Sequence, residues 1–179
     1  MGIHSEKFGK FLFFLEIEGI KYCFVWGTLP ENHDAFILID ESNKILLFEN
    51  LDKLKKYIIT APLEDLKDWI NGFDKEDEKL RIISLSSLQR IKNNITLDNH
   101  TLWNDISLFI ELCTDLAYIS KDDNLFEILD REAINHYNDT YMTHFIWQDQ
   151  DKKDFEVTDD FIKAITDLLA AFNKSVLIK

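Results

Sequence analysis

Five histidines, two cysteines and 33 carboxylates are the groups in this chain with chemistry to offer. His136 and His144 flank a stretch that contains Asp139. An imidazole–carboxylate set brought together there could hold a metal or work on a substrate. His4, His33 and His100 stand apart, and no two of the five fall at i, i+4 on one helix face. Isolated histidines of this kind read as surface or hydrogen-bonded side chains. Cys113 falls on the apolar face of a predicted helix, without the electropositive setting that makes a thiolate. Cys23 falls in a predicted strand, and two such cysteines pack as small hydrophobes rather than forming a disulfide framework. Ser84, Ser86 and Ser87 lie in no nucleophile-elbow context. Asp149-x-Asp151 opens like a calcium loop, but Lys153 stands at its fifth position and no glycine follows. Asp74–Glu78 has the carboxylates without the spacing and reads as a solvated loop. None of the five glycines forms a phosphate-cradling turn. The expectation is a chain with no catalytic residues, no metal and no cofactor.

What remains is charge. The net charge is −13, and it is uneven: residues 1–100 carry −4 and residues 101–179 carry −9. Such a field repels nucleic acid and anionic membranes and attracts a basic partner. Aromatic residues interleave with it. Trp103 and Tyr137 fall beside core positions and are expected inside, whereas Tyr141 and Trp147 lie in an irregular stretch and are candidate anchors. The candidate binding surface is therefore Asp122, Asp123, Glu127 and Asp130 on one predicted helix, joined to Tyr141, Trp147, Asp149, Asp151, Asp154 and Glu156 beyond it.

These groups need a scaffold, and the sequence supplies an α+β one. Four apolar runs, Phe11–Ile17, Tyr22–Trp26, Ala35–Ile39 and Ile45–Phe48, are rich in residues that fit a pleated surface. Glu18-Gly19 and Asp40–Lys44 separate them with turn chemistry, predicting an antiparallel meander. Asn50 caps a helix through Ile58, Pro62 ends it, and Leu63–Ile70 forms a second helix closed by Asn71-Gly72. Asp74–Lys79 is the predicted hinge, with a strand over Leu80–Leu85 and a helix over Ser86–Asn94. The remainder reads as mainly helical. A long helix starts at Asp98 or Thr101 and runs to Ile119, apolar around most of its circumference and so buried on several sides. Asp122-Asp123-Asn124 caps a helix from Leu125 to Tyr137 that buries Phe126, Leu129, Ala133 and Tyr137. Phe145–Trp147 is a possible strand, Asp149–Asp154 a polar turn, and Thr158 caps a last helix. Ser175–Ile178 is expected at a sheet edge. At 179 residues with 46% hydrophobic content, one domain with a real core, or at most two tightly joined subdomains, is expected, sheet-rich over 1–73 and helical over 80–179. With no apolar run of membrane-spanning length, the chain is expected in the cytoplasm.

The segment Ala35–Ile58, a strand, a charged turn, a strand and then a Leu-x-x-Leu helix, resembles the start of many small acidic immunity proteins. These partner the toxins of contact-dependent inhibition and related polymorphic toxin systems in bacteria. The match to the SUKH-type branch is partial: Leu29-Pro30-Glu31 resembles its Leu-Pro element, and the following pattern is missing. The resemblance implies an inhibitor of a cognate toxin C-terminal domain, with no shared catalytic residues to carry over. Many such toxins are nucleases, which are basic because they hold phosphates. It thus implies occlusion of a nuclease active site, an RNase more than a DNase, with no direct contact to nucleic acid or membrane. Two alternatives remain: a nucleic-acid mimic that inhibits a DNA-binding protein, and a small hydrolase built on His136, His144 and Asp139.

Overall fold

Glu18 and Gly19 both adopt positive φ, 52° and 81°, and fold the first two strands into a tight hairpin. In the computed structural model, which describes residues 3–29, 31–73, 81–147 and 153–179, a short helix α1 (Ile3–Phe8) leads into β1 (Lys10–Ile17) and β2 (Ile20–Thr28). The two strands pair antiparallel from Lys10↔Gly27 to Ile17↔Ile20. β3 (Ala35–Ile37) adds antiparallel to β2, and β5 (Arg81–Ser84) lies beside β1, giving the order β3-β2-β1-β5. β4 (Ile45–Leu47) departs from the predicted meander. It meets the segment just after β3 through the isolated Ile39↔Ile45 bridge and a bond from Leu46 N–H to the Leu38 carbonyl, and pairs in parallel with β6 (Val176–Ile178). β6 is the expected edge strand near the C-terminus. Asn43, with φ 59°, makes the turn before β4, and Asp40 Oδ1 accepts from Ser42 and Lys44 N–H groups inside it.

The chain divides into two compact units, Met1–Ile83 with Ser175–Lys179, and Ser84–Lys174. In the first, Asn50 caps α2 (Leu51–Thr60) through a 2.9 Å bond from Lys53 N–H, and Gly72 closes α3 (Glu64–Asn71). Leu54, Ile58, Leu66, Trp69 and Ile70 of these helices pack with Cys23, Val25, Leu46 and Phe48 of the strands in one buried cluster. The expected hinge at Asp74–Lys79 lies outside the described residues.

The second unit begins with α4 (Leu85–Leu88), a single turn where a longer helix to Asn94 was predicted; Leu88 and Ile91 are nevertheless buried. α5 (His100–Ser120) is capped by Asn99, not Asp98 or Thr101, and it buries nine residues spread around its circumference, as its composition required. Of the predicted Asp122-Asp123-Asn124 cap, Asp122 is the N-cap and the helix already begins at Asp123, and one helix becomes two, α6 (Asp123–Leu129) and α7 (Glu132–Tyr141). Arg131 adopts extended backbone between them, and its guanidinium donates to Asp167 at 2.6 Å. The break shifts the buried face of α6 to Leu125 and Ile128; Phe126 and Leu129 are only partly covered. Phe145–Trp147 is not a strand. Met142–Ile146 continues α7 as a π turn. Thr158 caps α8 (Asp159–Lys174) by accepting from Phe161 N–H. Among the described residues no helix is long and apolar enough to cross a membrane.

Candidate functional site

A groove of about 420 Å³ opens in the second unit between the outer face of α7 and residues 153–156. One wall is His136, Asp139, Thr140, Thr143 and His144, at positions i, i+3, i+4, i+7 and i+8. On a regular helix i+8 drifts away from i. The wider π turn rotates the chain back, so that His144 reaches the same groove as His136. The inner side of α7 is fixed by aromatic packing. Tyr137 is fully buried, stacks on Trp103 and Phe161, and donates its hydroxyl to the Trp103 carbonyl at 2.7 Å. Burial pushes the Tyr137 hydroxyl pKa far up, so it remains a donor.

The opposite wall is Lys153, Asp154, Phe155 and Glu156. It is clamped in place at several points. Ile95 and Phe155 exchange both backbone hydrogen bonds at 2.9 Å, Leu97 N–H donates to Asp154 Oδ1 at 2.9 Å, and Val157 N–H donates to Asn94 Oδ1. The Trp103 indole N–H donates to the Thr96 carbonyl, tying this segment to α5. Phe155 is buried against Tyr137 and Phe161, and its ring lies 5.6 Å from that of His136.

His136, His144 and Asp139 thus line one groove, but their roles differ. His144 is 4% exposed. Its Nε2 lies 2.6 Å from the Lys153 carbonyl and 3.2 Å from the Lys153 amide nitrogen. Nε2 is thus engaged by the Lys153 backbone, and Nδ1 is left buried without a hydrogen-bond partner. Neither nitrogen is therefore presented to a molecule in the groove. The Thr140 hydroxyl is also committed, donating to the His136 carbonyl at 2.8 Å. What faces solvent is the His136 ring, the carboxylates of Asp139, Asp154 and Glu156, and the Lys153 ammonium. Among the described residues, no group of three or more metal-ligating side chains is assembled.

Of the residues singled out from sequence, Asp154 and Glu156 line this groove, and Trp147, 67% exposed, stands at the end of the π turn that carries His144. Tyr141 is half-buried among Trp103, Tyr137 and Phe145, a packed ring rather than a free anchor. Asp122 spends its carboxylate on the Asn124 and Leu125 N–H groups, while Asp123, Glu127 and Asp130 are exposed on α6 and do not line the groove. Asp149 and Asp151 lie outside the described residues, as does the side chain of His4. Sequence reading missed Met142 and Ile146, 37% and 55% exposed, which join Trp147 on the π turn. It also missed Thr140 and Thr143, whose spacing from His136 would have placed them on its face.

No family model and no curated protein matches this chain. Among solved structures it is similar to "The crystal structure of SatS c-terminal domain in complex with bromine", with a TM-score of 0.62 at 10% identity, over 98% of this chain and 96% of that one. The likeness is one of fold.

Proposed function

We propose that this chain is a cytoplasmic immunity-type inhibitor that binds a cognate basic toxin domain, a nuclease and more specifically an RNase, and covers its active site. The observation that carries the reading is the concentration of negative charge around an exposed apolar turn. Residues 122–160 contain twelve Asp/Glu against three Lys/Arg, and Met142, Ile146 and Trp147 are exposed within that stretch. Carboxylates steer a basic surface toward the complex and raise the association rate. A protruding aromatic then supplies the desolvated contact that slows dissociation. Occlusion needs no bond chemistry, which accords with a groove whose inner histidine is bound to backbone.

The test is co-expression with the C-terminal domain of a secreted protein encoded next to this chain. The expected result is a 1:1 complex with its nuclease activity suppressed. A neighbourhood of metabolic genes, or a domain left fully active at equimolar inhibitor, contradicts the reading.

One observation favours a second reading, a small hydrolase: the shared groove of His136, Asp139 and His144. Screening the purified chain against ester and phosphoester substrates separates the two. Turnover abolished by His136→Ala and Asp139→Asn supports the hydrolase.

A further inference from the structure

We propose that the groove between α7 and residues 153–156 is the seat of one arginine side chain of the basic partner, and that Trp147, with Met142 and Ile146, packs on the partner's surface around it. This rests on the inhibitor reading for the partner's identity, and on the groove's own geometry for the arginine. Among the described residues of the lining, Asp139, Asp154 and Glu156 outnumber the one cation, Lys153. Asp154 already spends Oδ1 on Leu97 N–H, so Asp139 and Glu156 are the freer acceptors. A planar guanidinium suits such a site better than an ammonium, because it can bond two carboxylates at once while its face lies on an aromatic ring. The exposed His136 ring supplies such a face in one wall.

The wall also contains a π turn, a local departure from α geometry that recurs at functional sites. That same turn thrusts Ile146 and Trp147 into solvent. Charge complementarity fixes the occupant as basic, since unit Ser84–Lys174 carries seventeen Asp/Glu against eight Lys/Arg.

Two measurements on the intact chain test this. The first is a ¹⁵N-resolved NMR titration with the capped peptide acetyl-Gly-Arg-Gly-amide, its lysine counterpart serving as control. The expected result is binding at roughly millimolar Kd, as befits so small a ligand, with shifts at residues 136–147 and 153–156 and none on α6. Asp139→Asn with Glu156→Gln should weaken it about tenfold, and the lysine peptide should bind several-fold more weakly. Shifts spread evenly over α6, equal binding of the lysine peptide, or no shifts at about 50 mM peptide (well above that Kd) would overturn the arginine seat. The second is the affinity for the cognate domain. Trp147→Ala should cost at least about 30-fold, whereas neutralising Asp123, Glu127 and Asp130 together should cost less than about fivefold. A complex indifferent to Trp147→Ala and to the groove pair overturns the inference and leaves the inhibitor reading standing. Arginine-peptide binding in the groove without any cognate complex does the reverse.

Discussion

Asp167 accepts from Lys163 at 2.8 Å and from Arg131 at 2.6 Å, and these two bonds hold its carboxyl below the ordinary carboxylate range. A depressed carboxylate pKa adds stability above its unfolded value and loses it as pH falls through the folded value. Asp167→Asn is therefore expected to lower the thermal midpoint at neutral pH, with the gap to the native chain closing as pH drops through and below the carboxylate range. Melts recorded across that range check this, and a gap that is constant with pH contradicts it. The cysteines make a second residue-scale prediction. Cys23 and Cys113 are both fully buried, and burial pushes the Cys113 thiol well up. A thiol reagent should find neither in the native chain and both after denaturation; rapid native labelling would mean that the packing described for β2 or α5 is wrong.

Hairpin and helix termini carry the next level of control. Gly27 faces Gly9 where β1 begins: a methyl added to Gly27 would collide with the Gly9 carbonyl oxygen, which already accepts from Thr28 N–H at 2.7 Å. The obstacle is backbone and cannot swing aside, so Gly27→Ala is expected to cost about 3 kcal/mol or more, read by urea denaturation; a cost under about 0.5 kcal/mol contradicts that crossing. Much at this scale was legible beforehand because single residues decide it. Glu18-Gly19, Asn43, Asn50, Asp122 and Thr158 stand at the turns and caps their chemistry predicts. What escaped depended on partners distant in sequence. The parallel pairing of β4 with β6 joins residues about 130 apart in the chain. The break at Asp130–Arg131 is accompanied by a bond to Asp167 on α8. The π turn leaves no periodic signal of its own, because Phe145 serves the Trp103 cluster while Ile146 and Trp147 are exposed. Of the carboxylates that charge singled out, Asp154 and Glu156 line the groove, whereas Asp122, Asp123, Glu127 and Asp130 do not.

At the scale of the molecule, the two units share charge unequally: −9 on Ser84–Lys174 and −4 on the remainder. An interface that works through such a field should weaken with salt mainly by slower association, since screening acts over about 8 Å at physiological ionic strength. An inhibitor dedicated to one cognate domain should also discriminate by apolar fit, whereas a general mimic of nucleic acid would bind unrelated basic proteins alike. Calorimetric titration of the purified chain into its cognate domain, repeated across a salt series and against two unrelated basic proteins, tests the account most directly. The account predicts a 1:1 complex with the cognate domain alone, weakening as salt rises. Absence of binding even at low salt, or equal binding to every basic protein, would contradict it.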